Sequence, residues 1–206
     1  MKKYFLIITC CLMCSLLTAQ DIQLPLPQTR GGMPLYEALY RRSTAREFST
    51  AKLSLQQISD LLWCANGINR TDGKRTAPSA RNAQEIDIYV FLADGAYLYD
   101  PKDNKLVFVS DKDLRPVTSH SAFAQKAPLM LLFVANYDKM EAFDENAREF
   151  YGATDAGYVS QNTYLYCAAN GLSTVVMGHI YRDDIQEALK FKGKAVLAQS
   201  VGYPAE

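Results

Sequence analysis

The chain is poor in cysteine. It has five in 206 residues, and three of them, Cys10, Cys11 and Cys14, lie close to its start. Cys64 and Cys167 are too few for a disulfide-built scaffold. They stand either as one disulfide or as two buried free thiols that pack as small apolar residues, and the lack of any other scaffold mark points to the second. The two histidines and these cysteines fall in no metal-ligand spacing, which argues against a metal enzyme. Net charge is also missing: 22 basic residues balance 22 acidic ones. With no basic stripe there is no expected nucleic-acid partner. Blocks of like charge, low-complexity tracts and internal repeats are absent. So are the nucleophile elbow, the P-loop and the zinc-binding helix motif, and no hydrolytic chemistry announces itself.

One apolar run stands out near the N-terminus, Tyr4 to Leu17, and it is short for a bilayer span of about 20 residues. Lys2 and Lys3 precede it, and Thr18, Ala19 and Gln20 follow. A basic end, a short apolar stretch and small residues make the pattern of a secretory signal. Residues 1–20 are read as that signal, with cleavage after Ala19 or Gln20. The mature protein is then exported, periplasmic and without a stable membrane span. A retained anchor is the alternative. Thr9 and Met13 are poor neighbours for lipidation at Cys10 or Cys14.

Residues 21–33 read as an extended arm, with Pro25, Pro27, Gly31 and Gly32. Residues 34–206 are one domain by length. A short helix is expected from Pro34 to Arg42. Ser54 opens a second helix, with Gln57 completing a capping box and Leu55, Ile58, Leu61, Leu62 and Ala65 on one apolar face. Asn66-Gly67 stops it. A long polar loop, Asn69 to Asn82, carries Arg70, Lys74, Arg75 and Arg81, and loops of that length are often functional. Ile86 to Ala93 is a strand, Asp94-Gly95 a hairpin signal, and Ala96 to Tyr99 and Leu106 to Val109 the next strands. Asp111 to Ser121 looks helical at its start. Leu129 to Ala135 reads as a central strand. Phe143 to Asn170 is the longest helical stretch, with a break expected near Thr154-Asp155 because Gly152 and Gly157 weaken it. Gly171 caps it. A strand from Leu172 to Met177, a helix from Asp183 to Phe191 and a strand from Ala195 to Val201 complete the chain. The mixture points to an α+β fold with a mainly antiparallel central sheet flanked by helices.

Three segments carry candidate chemistry. Arg41, Arg42, Ser43 and Arg46 gather guanidinium groups and a hydroxyl at a helix end, a set that suits a dianionic phosphate. The same set also fits a solvated helix end, where the dipole favours arginine. Pro78, Ser79, Asn82 and Gln84 precede a strand. Their amides can pair with the edge of a planar heterocycle, or Ser79 can simply cap a short helix through Asn82 to Glu85. Met177 and Gly178 end a buried strand, and the glycine lets backbone approach a ligand closely.

The order of these pieces resembles the nitroreductase family: Arg41-x-Ser43 with a following basic residue, then a helix, then Pro78-Ser79-x-x-Asn82-x-Gln84 feeding a strand. Much later come an alanine-containing helix ending in Gly171-Leu172 and a strand ending in Gly178. Trp63 to Asn82 and the short length place it near the azoline-forming peptide dehydrogenases of that family. The resemblance covers Arg41 to Pro204. It implies a nitroreductase-like sandwich, an intertwined homodimer and FMN held between subunits. Arg41, Arg42, Ser43 and Arg46 would hold the FMN phosphate and ribityl chain. Pro78, Ser79, Asn82 and Gln84 would edge the ring, some from the partner subunit, and Met177 and Gly178 would lie beside it. It further implies ping-pong reduction of nitroaromatic, quinone-like or other small organic acceptors through the flavin, with NAD(P)H as donor and no catalytic protein nucleophile. Two other readings stand beside it: dehydrogenation of a peptide or small organic substrate, and flavin binding with little turnover. The sequence departs from the family twice. Two residues, Thr44 and Ala45, separate Ser43 from Arg46 where the family has one. The chain ends Tyr203-Pro204-Ala205-Glu206 without the basic residue that relatives often carry after the last strand.

Overall fold

A computed structural model describes residues 20–205. The proposed signal segment, apart from Gln20, lies outside the described residues. At the centre is a seven-stranded sheet: β1 (Ile22–Gln23), β2 (Ile86–Leu92), β3 (Gly95–Asp100), β4 (Lys105–Ser110), β5 (Leu129–Asn136), β6 (Ser173–Met177) and β7 (Gly193–Gly202). The order across it is β1-β4-β3-β2-β5-β7-β6, and every pairing is antiparallel. The β2–β3 hairpin turns through Ala93-Asp94, with Leu92 opposite Gly95.

The central strand shows why the fold has three layers. Successive side chains of a strand point to opposite faces. In β5, Leu129, Leu131, Phe133 and Ala135 enter one core, while Met130, Leu132 and Val134 enter the other. A strand covered on both faces reads as an unbroken apolar run. The first core is closed by α2 (Leu55–Asn66) and α5 (Glu145–Ala169), through Ile58, Leu61, Leu62, Ala156 and Val159. The second is closed by short helices, α3 (Arg115–Thr118), α4 (Ala122–Lys126) and α6 (Arg182–Leu189), through Ala124 and Ile185. One further helix, α1 (Leu35–Arg41), lies against α5. The arm is part of this body: β1 pairs with β4, and Asp60 accepts the Gln28 N–H at 2.7 Å.

Local signals hold where chemistry is local. The α2 capping box forms, with Ser54 and Gln57 each satisfying the other's backbone N–H. Two expectations are corrected. The long helix does not break near Thr154-Asp155; α5 is continuous. Gly152 is there for space, since a Cβ on it would come within 2.8 Å of the Ala135 Cβ on β5. The missing side chain brings helix and sheet together, and packing outweighs the roughly 1 kcal/mol helical cost of glycine. The 111–121 stretch is helical in its middle rather than at its start: Asp113 holds the Arg115 guanidinium at 2.7 and 2.9 Å, and α3 spans Arg115–Thr118.

Cys64 and Cys167 are free. Burial pushes their thiols up to about 11 and about 12 respectively, with Asp60 adding to the effect on Cys64, so both stay protonated and unreactive. Among the described residues no helix is long and apolar enough to cross a membrane.

Candidate functional site

The arginine segment begins where α1 ends. Arg42 leaves helical geometry while its N–H still bonds the Ala38 carbonyl at 2.9 Å. The chain then runs beside β6, the outermost strand, and the Ala45 N–H donates to the Thr174 carbonyl at 3.0 Å. Tyr164 of α5 fastens this junction. Its hydroxyl lies 3.0 Å from Thr44 Oγ1 and accepts the Val176 N–H at 3.1 Å. The Arg42 guanidinium sits over the Tyr164 ring, 5.4 Å from its centre, a cation–π contact that orients the group without using its N–H donors. Neither Arg42 nor Ser43 has a side-chain hydrogen bond to another described residue. Arg41 pairs with Glu37 in an exposed i,i+4 contact of little energetic weight.

Arg46 lies apart from that group. It lines a shallow hollow with Ala45, Ser173, Pro204 and Ala205. Arg46 therefore stands beside Pro204 and Ala205, with Glu47 lining the same hollow. On β6, the Met177 side chain is buried in the second core, which leaves only its backbone for the outer surface. Gly178 is exposed, and a Cβ there would meet nothing nearer than Leu197 Cδ2 at 3.9 Å. Nothing within the protomer requires glycine at that position.

The second group is the loop before β2. Ser79 Oγ accepts the Gln84 N–H at 2.9 Å, and Arg75 Nε donates to Gln84 Oε1 at 3.0 Å. The Gln84 amide also donates to the Gly73 carbonyl at 3.1 Å and to Asn82 Oδ1 at 3.2 Å. Gln84 is thus spent on the loop's own architecture. Asn82 is exposed, and its amide NH2 donates to no other described residue. Instead of the helix through Asn82 to Glu85, the structure has a short 3-10 turn, Ala80–Asn82, with positive φ at Arg81 (54°), Asn82 (57°) and Gln84 (50°). Such conformations cost about 1–3 kcal/mol each and gather at functional sites. Arg81 is braced over the Phe143 ring at 4.9 Å.

Beneath this loop lies a buried acid pair. Asp155 of α5 accepts the Ala80 N–H at 2.9 Å, and both Asp155 and Glu85 are buried. Burial, and then Asp155, push the Glu85 carboxyl up to about 7. Sequence reasoning gave neither acid a role, and it missed Tyr164 as well. The distant pairings of Glu85 with Asp155 and of Tyr164 with Thr44 leave no local signature, and Tyr164 read only as part of an apolar helix.

Within one protomer the two groups stay apart. The loop meets α5 at Asp155 and the arginine segment meets it at Tyr164. Nine residues of helix separate these points, roughly 14 Å along the axis. A cavity of about 400 Å³ lies between the arm, α1, α2 and α5, lined in part by Arg30, Trp63, Tyr166 and Asn162, and none of the sequence-predicted site residues borders it.

Comparison with known proteins places this arrangement in context. The family described as the nitroreductase family matches residues 38–203. A nitroreductase-like protein of Methanocaldococcus jannaschii is 31% identical over 196 residues, covering 90% of this chain and 98% of its own. The crystal structure of a nitroreductase-like protein from Ralstonia eutropha is 40% identical and superposes with a TM-score of 0.87, covering 91% of this chain and 90% of that one. A Desulfovibrio desulfuricans protein crystallised in complex with FMN shares the fold, with a TM-score of 0.61 at 21% identity over 85% of this chain and 89% of its own.

Proposed function

The chain belongs to the nitroreductase family and is an oxidoreductase, and from that premise we propose that it binds FMN between two protomers and uses NAD(P)H to reduce small organic acceptors such as nitroaromatic or quinone-like compounds. One observation carries the reading: uncommitted polar groups stand in two clusters that a single protomer holds apart. Arg42 and Ser43 have free donors beside β6, and Asn82 has a free amide NH2, its Oδ1 held by Gln84, in a braced loop.

The residues fit a flavin mononucleotide. Guanidinium groups at Arg41 and Arg42 and the Ser43 hydroxyl suit a phosphate, the first two as bidentate donors. Arg46 adds charge beside Pro204. Ser79 and Asn82 suit the polar edge of a planar ring. Gly178 leaves backbone open to a ring face. Bound FMN would supply hydride and electron transfer, which the protein's own side chains cannot. The chain's residues then bind the cofactor, fix its orientation and place N–H donors where negative charge gathers on reduction. Donor and acceptor would use one cleft in turn, a reaction that needs no catalytic dyad.

Two copies of the chain complete the site. The short helix α1 buries only Ala38, while Tyr36 and Tyr40 are 88% and 90% exposed. Leu35 and Leu39 are exposed beside them, and α5 adds Phe150 (65% exposed) and Tyr158. An apolar face of this kind marks a protein–protein contact. A homodimer would cover it and bring the arginine group of one protomer toward the loop of the other.

The test is anaerobic titration of the purified, FMN-loaded protein with NADH and NADPH, followed by flavin absorbance. Bleaching by a nicotinamide and recovery on adding a quinone are the expected results. A bound flavin that neither nicotinamide bleaches would remove NAD(P)H from the reading.

A further inference from the structure

Glu85 poses a problem that the proposed function does not solve. It is fully buried, and among the described residues no donor reaches either of its carboxyl oxygens. An ionised carboxylate sealed in this way is strongly disfavoured. The Ala80 N–H bond brings a second buried acid, Asp155, 3% exposed, under the same loop, and Asp155 is among the groups that push the Glu85 carboxyl up. Two adjacent carboxylates cannot both be ionised in such a place, whereas one shared proton turns a repulsion into a hydrogen bond. The cations facing the pair are engaged elsewhere. Lys139 Nζ bonds Asp87 at 2.5 Å and the Gln84 carbonyl at 3.4 Å, and Arg75 bonds Gln84.

The pair sits where it controls the loop. Asp155 Oδ2 holds the Ala80 N–H at 2.9 Å, and Ala80 opens the turn that carries Arg81 and Asn82 in left-handed geometry. Left-handed residues other than glycine persist only where their surroundings fix them. Glu85 closes the same loop, and its carbonyl accepts the Asn136 N–H at the end of β5.

We propose that Glu85 and Asp155 share one proton and act together as the positioning pair of the 79–84 loop, holding Asn82 in its exposed, left-handed pose for ligand contact. The pair rests on the burial of both acids, the unpartnered Glu85 oxygens and the Asp155–Ala80 bond; its effect on the ligand rests on the flavin reading above. The direction of the Glu85 shift agrees. A folded state that keeps a proton the unfolded chain has lost grows less stable as pH rises through the interval between the two protonation ranges. For Glu85 that interval runs from the ordinary carboxyl range up to about 7. Above it the pair carries two like charges, and the loop loses its anchor.

The experiment compares the full-length protein with Glu85→Gln and Asp155→Asn, each of which supplies a neutral N–H donor to the remaining acid. In flavin-free protein, infrared spectra should show a protonated-carboxyl band that fades between pH 6 and 9 and is absent from both variants. With FMN added, the wild-type dissociation constant should rise at least about tenfold over the same range, as release of one linked proton allows. In Glu85→Gln it should stay flat. Wild-type protein without the band, or a Glu85→Gln variant with the wild-type pH step, overturns the proposal. If no form binds FMN, the flavin reading fails, and the infrared band decides the shared proton by itself. Should Glu85→Gln not fold, Asp155→Asn carries the same comparison.

Discussion

Replacing Arg42 with alanine is expected to weaken FMN binding by about 10- to 100-fold while leaving the fold intact. A hydrogen bond to a charged group contributes about 1.5–3 kcal/mol, and each 1.4 kcal/mol is a tenfold change in affinity. The folded protomer loses little, because the half-buried Arg42 side chain has no hydrogen bond to another described residue and its cation–π contact with the Tyr164 ring is worth about 0.5–2 kcal/mol. Quenching of FMN fluorescence on titration measures the affinity, and circular dichroism during heating measures the fold. An affinity within twofold of wild type would remove Arg42 from the phosphate site. Arg41→Ala is the internal comparison. Its guanidinium already pairs with Glu37, so its loss should cost less.

The second large effect is expected on α1. A double substitution, Leu39→Asp with Tyr40→Asp, places charge in the centre of the exposed apolar face. Burial of a large apolar side chain contributes about 1.5–3 kcal/mol, and a two-fold interface loses each contact twice. The dimer should weaken at least about 10³-fold on that arithmetic, giving monomers at micromolar protein in sedimentation velocity. Flavin should be lost along with it. A variant that stays dimeric would assign the interface to another surface. A monomer that keeps its flavin would show that one protomer suffices for the site.

The two substitutions test residues that became candidates in different ways. Arg42 is a candidate on sequence grounds, because guanidinium groups beside a serine suit a phosphate, while the same set also fits a solvated helix end. The α2 capping box and the continuous apolar run of β5 were legible: each is a local pattern with one physical cause. The α1 face was not. Its apolar residues, at helical spacing, read equally as core, and only their exposure in the folded protomer distinguishes them.

What the sequence hid depends on contacts between distant segments. Gly152 looked like a weak point in a helix, but its role is set by Ala135 on β5. Tyr164 looked like one more apolar residue, but it ties Thr44 to β6. Gln84 carried the family pattern, and its position in the loop was expected. Its three side-chain bonds to Arg75, Gly73 and Asn82, and the left-handed backbone of Arg81, Asn82 and Gln84, belong to the folded loop and have no signature in the sequence pattern. Asp155 stood in the sequence only as an expected helix break and Glu85 only as the end of a loop, and it is the fold that brings them under one loop.

The claim at the centre of this account is a flavin site shared by two protomers. Sedimentation velocity of the FMN-loaded protein, recorded at a protein wavelength and a flavin wavelength together, tests it most directly. Flavin absorbance that travels only with the dimer, and disappears from it when dilution yields monomer, is the predicted result. Flavin sedimenting with the monomer, or a dimer that takes up no FMN, would contradict it.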